Sequence, residues 1–130
     1  MRPTTNFMMS CALAAMSHAA FAQHTELSKQ FSACMDKSGG VTLNMRDCIA
    51  DETKRQDVRL NRAYKEFMGQ ISPTRRKQLQ DAQILWIKYR DANCTFYANP
   101  DGGTLALVES SRCGMTMTAS RAAELEGMRP

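Results

Sequence analysis

The sequence predicts an all-α fold, a small disulfide-stapled bundle of about four helices with short connections. Three observations carry this. No stretch of five or more residues sustains a strand-like alternation of apolar and polar residues. Apolar residues recur instead at helical spacing in four stretches, punctuated by Ser38-Gly39-Gly40, Ser72-Pro73 and Asn99-Pro100-Asp101-Gly102-Gly103. Four of the five cysteines fall within those stretches, an even number suited to two bridges.

The start of the chain does not read as fold. Arg2 gives a short basic start, Phe7 to Ala20 is mostly apolar, and Ala20-Phe21-Ala22 is a small-residue cleavage signal. Residues 1–22 are therefore expected to be a secretory signal peptide and 23–130 a single domain. The apolar run is shorter than the ~20 residues a membrane span needs, so no membrane attachment is expected after cleavage. Cys11 raises the alternative of a lipidated N-terminus, but Met8-Met9-Ser10 fits that signal poorly.

Cleavage would leave Cys34, Cys48, Cys94 and Cys113, for which three pairings exist. Proximity favours Cys34 with Cys48 and Cys94 with Cys113, each closing a loop whose restraint contributes on the order of 3 kcal/mol. A zinc site is the alternative, and the spacing lacks the close C-x-x-C pairs such sites use. Loss of Arg2 takes Lys plus Arg from 17 to 16 against 13 acids, a balance of +3. This mild excess, without a dense basic run or an aromatic RNA-binding motif, implies no nucleic-acid partner.

The first helix is expected over Thr25 to Lys37, with Thr25 as N-cap and Leu27, Phe31, Cys34 and Met35 inward. The second begins near Thr42 and runs to Phe67 or Met68. Its stripe of Met45, Cys48, Ile49, Leu60, Tyr64, Phe67 and Met68 is interrupted by Glu52, Gln56 and Asp57. That polar centre is either solvated or meets polar groups of the third helix. The third helix starts at Ser72-Pro73, a capping hydroxyl followed by proline at the first turn, and reaches about Tyr97. The last covers Leu105 to Leu125, with Leu107, Val108, Cys113, Met117, Ala122 and Leu125 as its core positions. Such short connections favour antiparallel neighbours.

The chain is organised around Asp81 to Cys94. Gln83, Trp86, Arg90 and Cys94 follow at spacings of three and four and so share one helix face. An amide, an indole, a guanidinium and a thiol are costly to bury without partners. Arg90 beside a carboxylate such as Asp57 or Asp91 would lock two helices in register.

Taken together, Cys48, Asp57, Leu60-Asn61, Tyr64, Leu79, Ala82-Gln83, Trp86, Arg90-Asp91, Cys94, Gly102-Gly103, Cys113, Thr118, Arg121 and Glu124-Leu125 resemble the LprI-type lysozyme inhibitor N-terminal domain family over nearly all of residues 34–125. Thr104 stands where serine is usual and Met117 where leucine is common. The resemblance implies a small exported bacterial helical domain, periplasmic or secreted, that binds a protein partner such as a lysozyme or another wall hydrolase. Asp57, Asn61, Tyr64, Gln83, Trp86, Arg90 and Asp91 are expected to form a structural polar network. The exposed turn Asp101, Gly102, Gly103 and Thr104, and the run Arg75-Arg76-Lys77, are candidate partner contacts.

Catalysis has little footing. After cleavage His24 is the only histidine, so no Ser/His or Cys/His pair has a base. Asp51 and Glu52 read as a solvated face rather than an acid and base. No catalytic residue, metal ligand or cofactor is expected. The alternative to lysozyme inhibition is an accessory module for another cell-envelope partner, such as peptidoglycan or an envelope protein.

Overall fold

A computed structural model describes residues 26–130. The expected signal peptide, its cleavage site and the expected Thr25 cap lie outside the described residues. Among the described residues there are four α-helices, α1 (Lys29–Lys37), α2 (Thr42–Gln70), α3 (Pro73–Phe96) and α4 (Gly103–Gly127), with a 3₁₀ turn at Pro100–Gly102 before α4. The described residues contain no strand.

Local chemistry sets the helix ends. Ser28, not Thr25, caps α1, its hydroxyl accepting from the Phe31 N–H at 3.1 Å. After α1, Gly39 and Gly40 take φ of 60° and 74°, which reverses the chain within four residues. Ser72 caps α3 as its sequence implies, accepting from the Arg75 N–H. The Arg76 guanidinium reaches back to the Met68 and Ile71 carbonyls at 2.9 and 3.1 Å, satisfying acceptors at the end of α2.

Consecutive helices run antiparallel, but the most extensive packing is between α2 and α4, which run parallel. Thr42 meets Thr104 at 3.4 Å at one end, and Arg59 meets Glu126 through two bonds of 2.9 and 2.6 Å towards the other. The intervening α3 returns the chain to the starting end and makes this pairing possible. Two apolar clusters result. Leu60, Ala63, Phe67, Ile71, Leu79, Ala122 and Leu125 close the end where α2 turns into α3, with Tyr64 and Trp86 packed against them. Phe31, Cys48, Ile49, Val108 and Met115 fill the end nearer the 3₁₀ turn, and no α3 residue belongs to that cluster.

The bridges are Cys34–Cys48 and Cys94–Cys113, with Cα separations of 5.7 and 5.4 Å. The first ties α1 to α2 and the second α3 to α4. One expected core position is corrected: Leu107 is exposed. The inward side of α4 follows Val108, Met115, Ala119 and Ala122, all buried, and the residue before Val108 points about 100° away from it.

Candidate functional site

The polar face of α3 is the face that meets α4. The Arg121 Nε donates to Gln83 Oε1 at 3.0 Å, and the Arg121 guanidinium pairs with Glu124 at 2.7 Å. The Arg90 NH1 donates to the Thr118 hydroxyl at 3.3 Å while its Nε donates to Asp91 at 2.9 Å, and its guanidinium carbon sits 5.1 Å from the Trp86 ring centroid. Asn93 donates to the sulfurs of Cys113 and Met117, both at 3.5 Å. Each polar group that this face buries thus finds a partner on α4 or on its own helix.

The structure does not gather the seven motif residues into one network. Gln83, Trp86, Arg90 and Asp91 lie along the α3–α4 seam, whereas Asp57, Asn61 and Tyr64 belong to α2. Arg90 pairs with Asp91, its neighbour in sequence, and forms no ion pair with Asp57. That pair cannot lock two helices; Arg90 to Thr118 and Arg121 to Gln83 do so instead. Asn61 is exposed, Asp57 is half-buried, and Tyr64 lies half-buried against the cluster around Leu60 and Phe67.

Glu52 and Gln56, at the polar centre of α2, are neither solvated nor turned to α3. They serve α1. Glu52 is 0 % exposed, and its carboxylate accepts from the Ser28 N–H at 2.9 Å, the Ser28 hydroxyl at 2.5 Å, Arg55 Nε at 2.8 Å and Gln56 Nε2 at 2.7 Å. Gln56 also donates to the Glu26 carbonyl at 3.2 Å. Burial alone would raise the Glu52 pKa, but the Ser28, Gln56 and Arg55 donors outweigh it and hold the group at about 2. Of the acidic pair expected on a solvated face, only Asp51 is there, bonded to Lys54 at 2.9 Å. Sequence reasoning missed Glu52 because its partner lies 24 residues away, at a helix end that local propensity places elsewhere.

The turn from Asp101 to Thr104 is exposed and tightly specified. The Asn99 side chain accepts from the Asp101 N–H at 3.0 Å, and the Asn99 carbonyl accepts from the Gly102 N–H at 3.0 Å. A Cβ at Gly102 would fall 2.8 Å from the Ala106 Cβ, and Gly103 has φ +61°, so both positions favour glycine. Around this end Val41, Leu43, Tyr97 and Leu105 are exposed. An open hollow of about 530 Å³, lined by Thr95 to Pro100, lies beside the turn. Arg75, Arg76 and Lys77 are exposed at the opposite end, where Arg76 is occupied by backbone carbonyls and Lys77 pairs with Asp81.

Among the described residues no three His, Cys, Asp or Glu side chains are grouped to hold a metal ion, and no helix is long and apolar enough to cross a membrane. Fold, bridges and surface together define a disulfide-stapled, all-helical domain with exposed apolar side chains and a glycine turn at one end. The chain belongs to the lysozyme inhibitor LprI family, whose model matches residues 34–125. No significant match was found among curated proteins or among solved structures.

Proposed function

We propose that this protein is an exported lysozyme inhibitor that acts by contact and not by catalysis, presenting the Asp101–Thr104 turn and its apolar surroundings to the enzyme's cleft. Membership of the lysozyme inhibitor LprI family over residues 34–125 carries this reading. The turn supports it: two glycines and the Asn99 bonds fix its shape before any partner arrives, which lowers the ordering cost of binding. Tyr97 and Leu105 supply apolar area beside it. The test is the rate at which lysozyme clears a bacterial suspension, with and without the oxidised domain. The domain is expected to slow clearing, and Leu105→Glu, on an exposed side chain, is expected to weaken inhibition at least tenfold. Clearing at the same rate with and without the domain would sink the proposal.

One observation favours the second reading, an accessory role towards another envelope partner. The positive balance gives no long-range attraction to the strongly basic animal lysozymes, so association with them would be unsteered. Retention of anionic wall fragments by the domain, with lysozyme uninhibited, would select that reading.

A further inference from the structure

The two bridges sit in different surroundings. Cys34 is half-buried and packs against the apolar cluster of Phe31, Ile49 and Met115. Cys113 is half-buried too, but it lines an open hollow of about 340 Å³ together with Asn93, Tyr97 and Arg112. That volume lies at the lower end of the range for small-molecule sites. Its bridge partner does not line the hollow: Cys94 is 7 % exposed, and the Met117 Sδ lies 3.6 Å from its Sγ. One sulfur of this bridge is open to a reagent and the other is covered.

We propose that Cys113 is a site of thiol–disulfide exchange with small thiols that carry a carboxylate, which open the Cys94–Cys113 bridge from the Cys113 side. The attacking species is the thiolate, which bonds to Cys113 Sγ and expels Cys94 Sγ. A mixed disulfide forms on Cys113 as the Cys94–Cys113 bond breaks. The incoming thiol gives its proton to water, and the Cys94 thiolate takes one up. The small thiol is oxidised and Cys94 is reduced, so the step needs no other redox partner.

Two side chains of the hollow favour this direction. The Asn93 Nδ2 donates to Cys113 Sγ at 3.5 Å, which draws electron density from the sulfur under attack. Arg112 is loosely engaged, 4.0 Å from Glu109 with its side chain 44 % exposed, so its guanidinium can pair with the thiol's carboxylate and gather the anion at the hollow. An anion approaching Cys34 meets the apolar cluster instead. Burial of Cys94 opposes its departure as a thiolate, so the exchange is slower than that of an exposed bridge. The freed Cys94 can attack the mixed disulfide and restore the bridge, so the adduct follows the concentration of the thiol. While the bridge is open, the end of α3 that leads into the Pro100–Gly102 turn lacks its covalent tie to α4.

The test is incubation of the oxidised protein with reduced glutathione at mildly alkaline pH, quenching with an alkylating agent in denaturant, and peptide mapping by mass spectrometry. The expected product carries one glutathione on Cys113 and the alkyl label on Cys94, and it forms before Cys34–Cys48 opens. Arg112→Ala, at an exposed position, is expected to slow its formation about threefold, while the rate with mercaptoethanol, which has no carboxylate, stays unchanged. Glutathione on Cys94, earlier opening of Cys34–Cys48, or no adduct at any concentration up to the one that opens Cys34–Cys48 overturns the proposal. Equal rates for Arg112→Ala and the parent with glutathione, or equal slowing with both thiols, overturns the assignment of the hollow as the thiol's binding site.

Discussion

Glu52 shows how one side chain can join two elements. Its carboxylate accepts from the first turn of α1, from Arg55 and from Gln56, and it does so with no solvent exposure. A carboxylate held near pH 2 in the fold against 4.5 unfolded contributes stability that is complete above pH 4.5 and is lost as pH falls through about 2. The difference corresponds to about 3 kcal/mol. Glu52→Gln is therefore expected to unfold more easily at pH 7 by about that amount and to converge on the parent near pH 2, as read by denaturant titration across pH. A constant gap between the two proteins at every pH would exclude the linkage. Arg90 is a smaller contributor than its place in the motif implies, because its ion-pair partner is its exposed neighbour Asp91. Losing the Thr118 bond and the Trp86 contact in Arg90→Ala is expected to cost about 1 to 2 kcal/mol. Asp101→Ala, on the exposed turn, is expected to change the thermal midpoint little.

Helix starts and stops were legible wherever the chemistry is local. Ser72-Pro73 starts α3 because a hydroxyl and a proline act within one turn. The start of α1 was not legible. Local propensity pointed to Thr25, and the buried Glu52 on α2, bonded to Ser28 by backbone and side chain, is what draws the helix start to Ser28 instead. The polar face of α3 was legible as a face needing partners, yet the identity of those partners was not, since Thr118 and Arg121 are brought to it by a helix 28 to 38 residues further on. The parallel packing of α2 with α4 was equally hidden, because loop length constrains only consecutive helices. α3 also differs from the others in how it is held. It shares the apolar cluster at its first half through Leu79, whereas its second half is fastened by Arg90, Asn93 and Cys94. Replacing Cys94 and Cys113 by serine is expected to cost about 3 kcal/mol and to speed amide exchange most in residues 87–97. Uniform acceleration along the chain would show instead that the bundle unfolds as one unit.

At the scale of the whole molecule, the two ends have different characters. One is closed by the larger apolar cluster and carries Arg75, Arg76 and Lys77; the other carries the glycine turn, the exposed apolar side chains and the cavity beside it. The glycine turn at the second end is the contact proposed above for the family's inhibitory role. The Cys94–Cys113 bridge then acquires a meaning beyond stability. α3 behaves like the arm of a clothes-peg, sprung at the Ile71–Ser72 corner and clipped shut by one covalent link at the far tip. Where thiols are kept reduced the clip would be open, and the far half of the arm would be held by the Arg90 and Asn93 contacts alone.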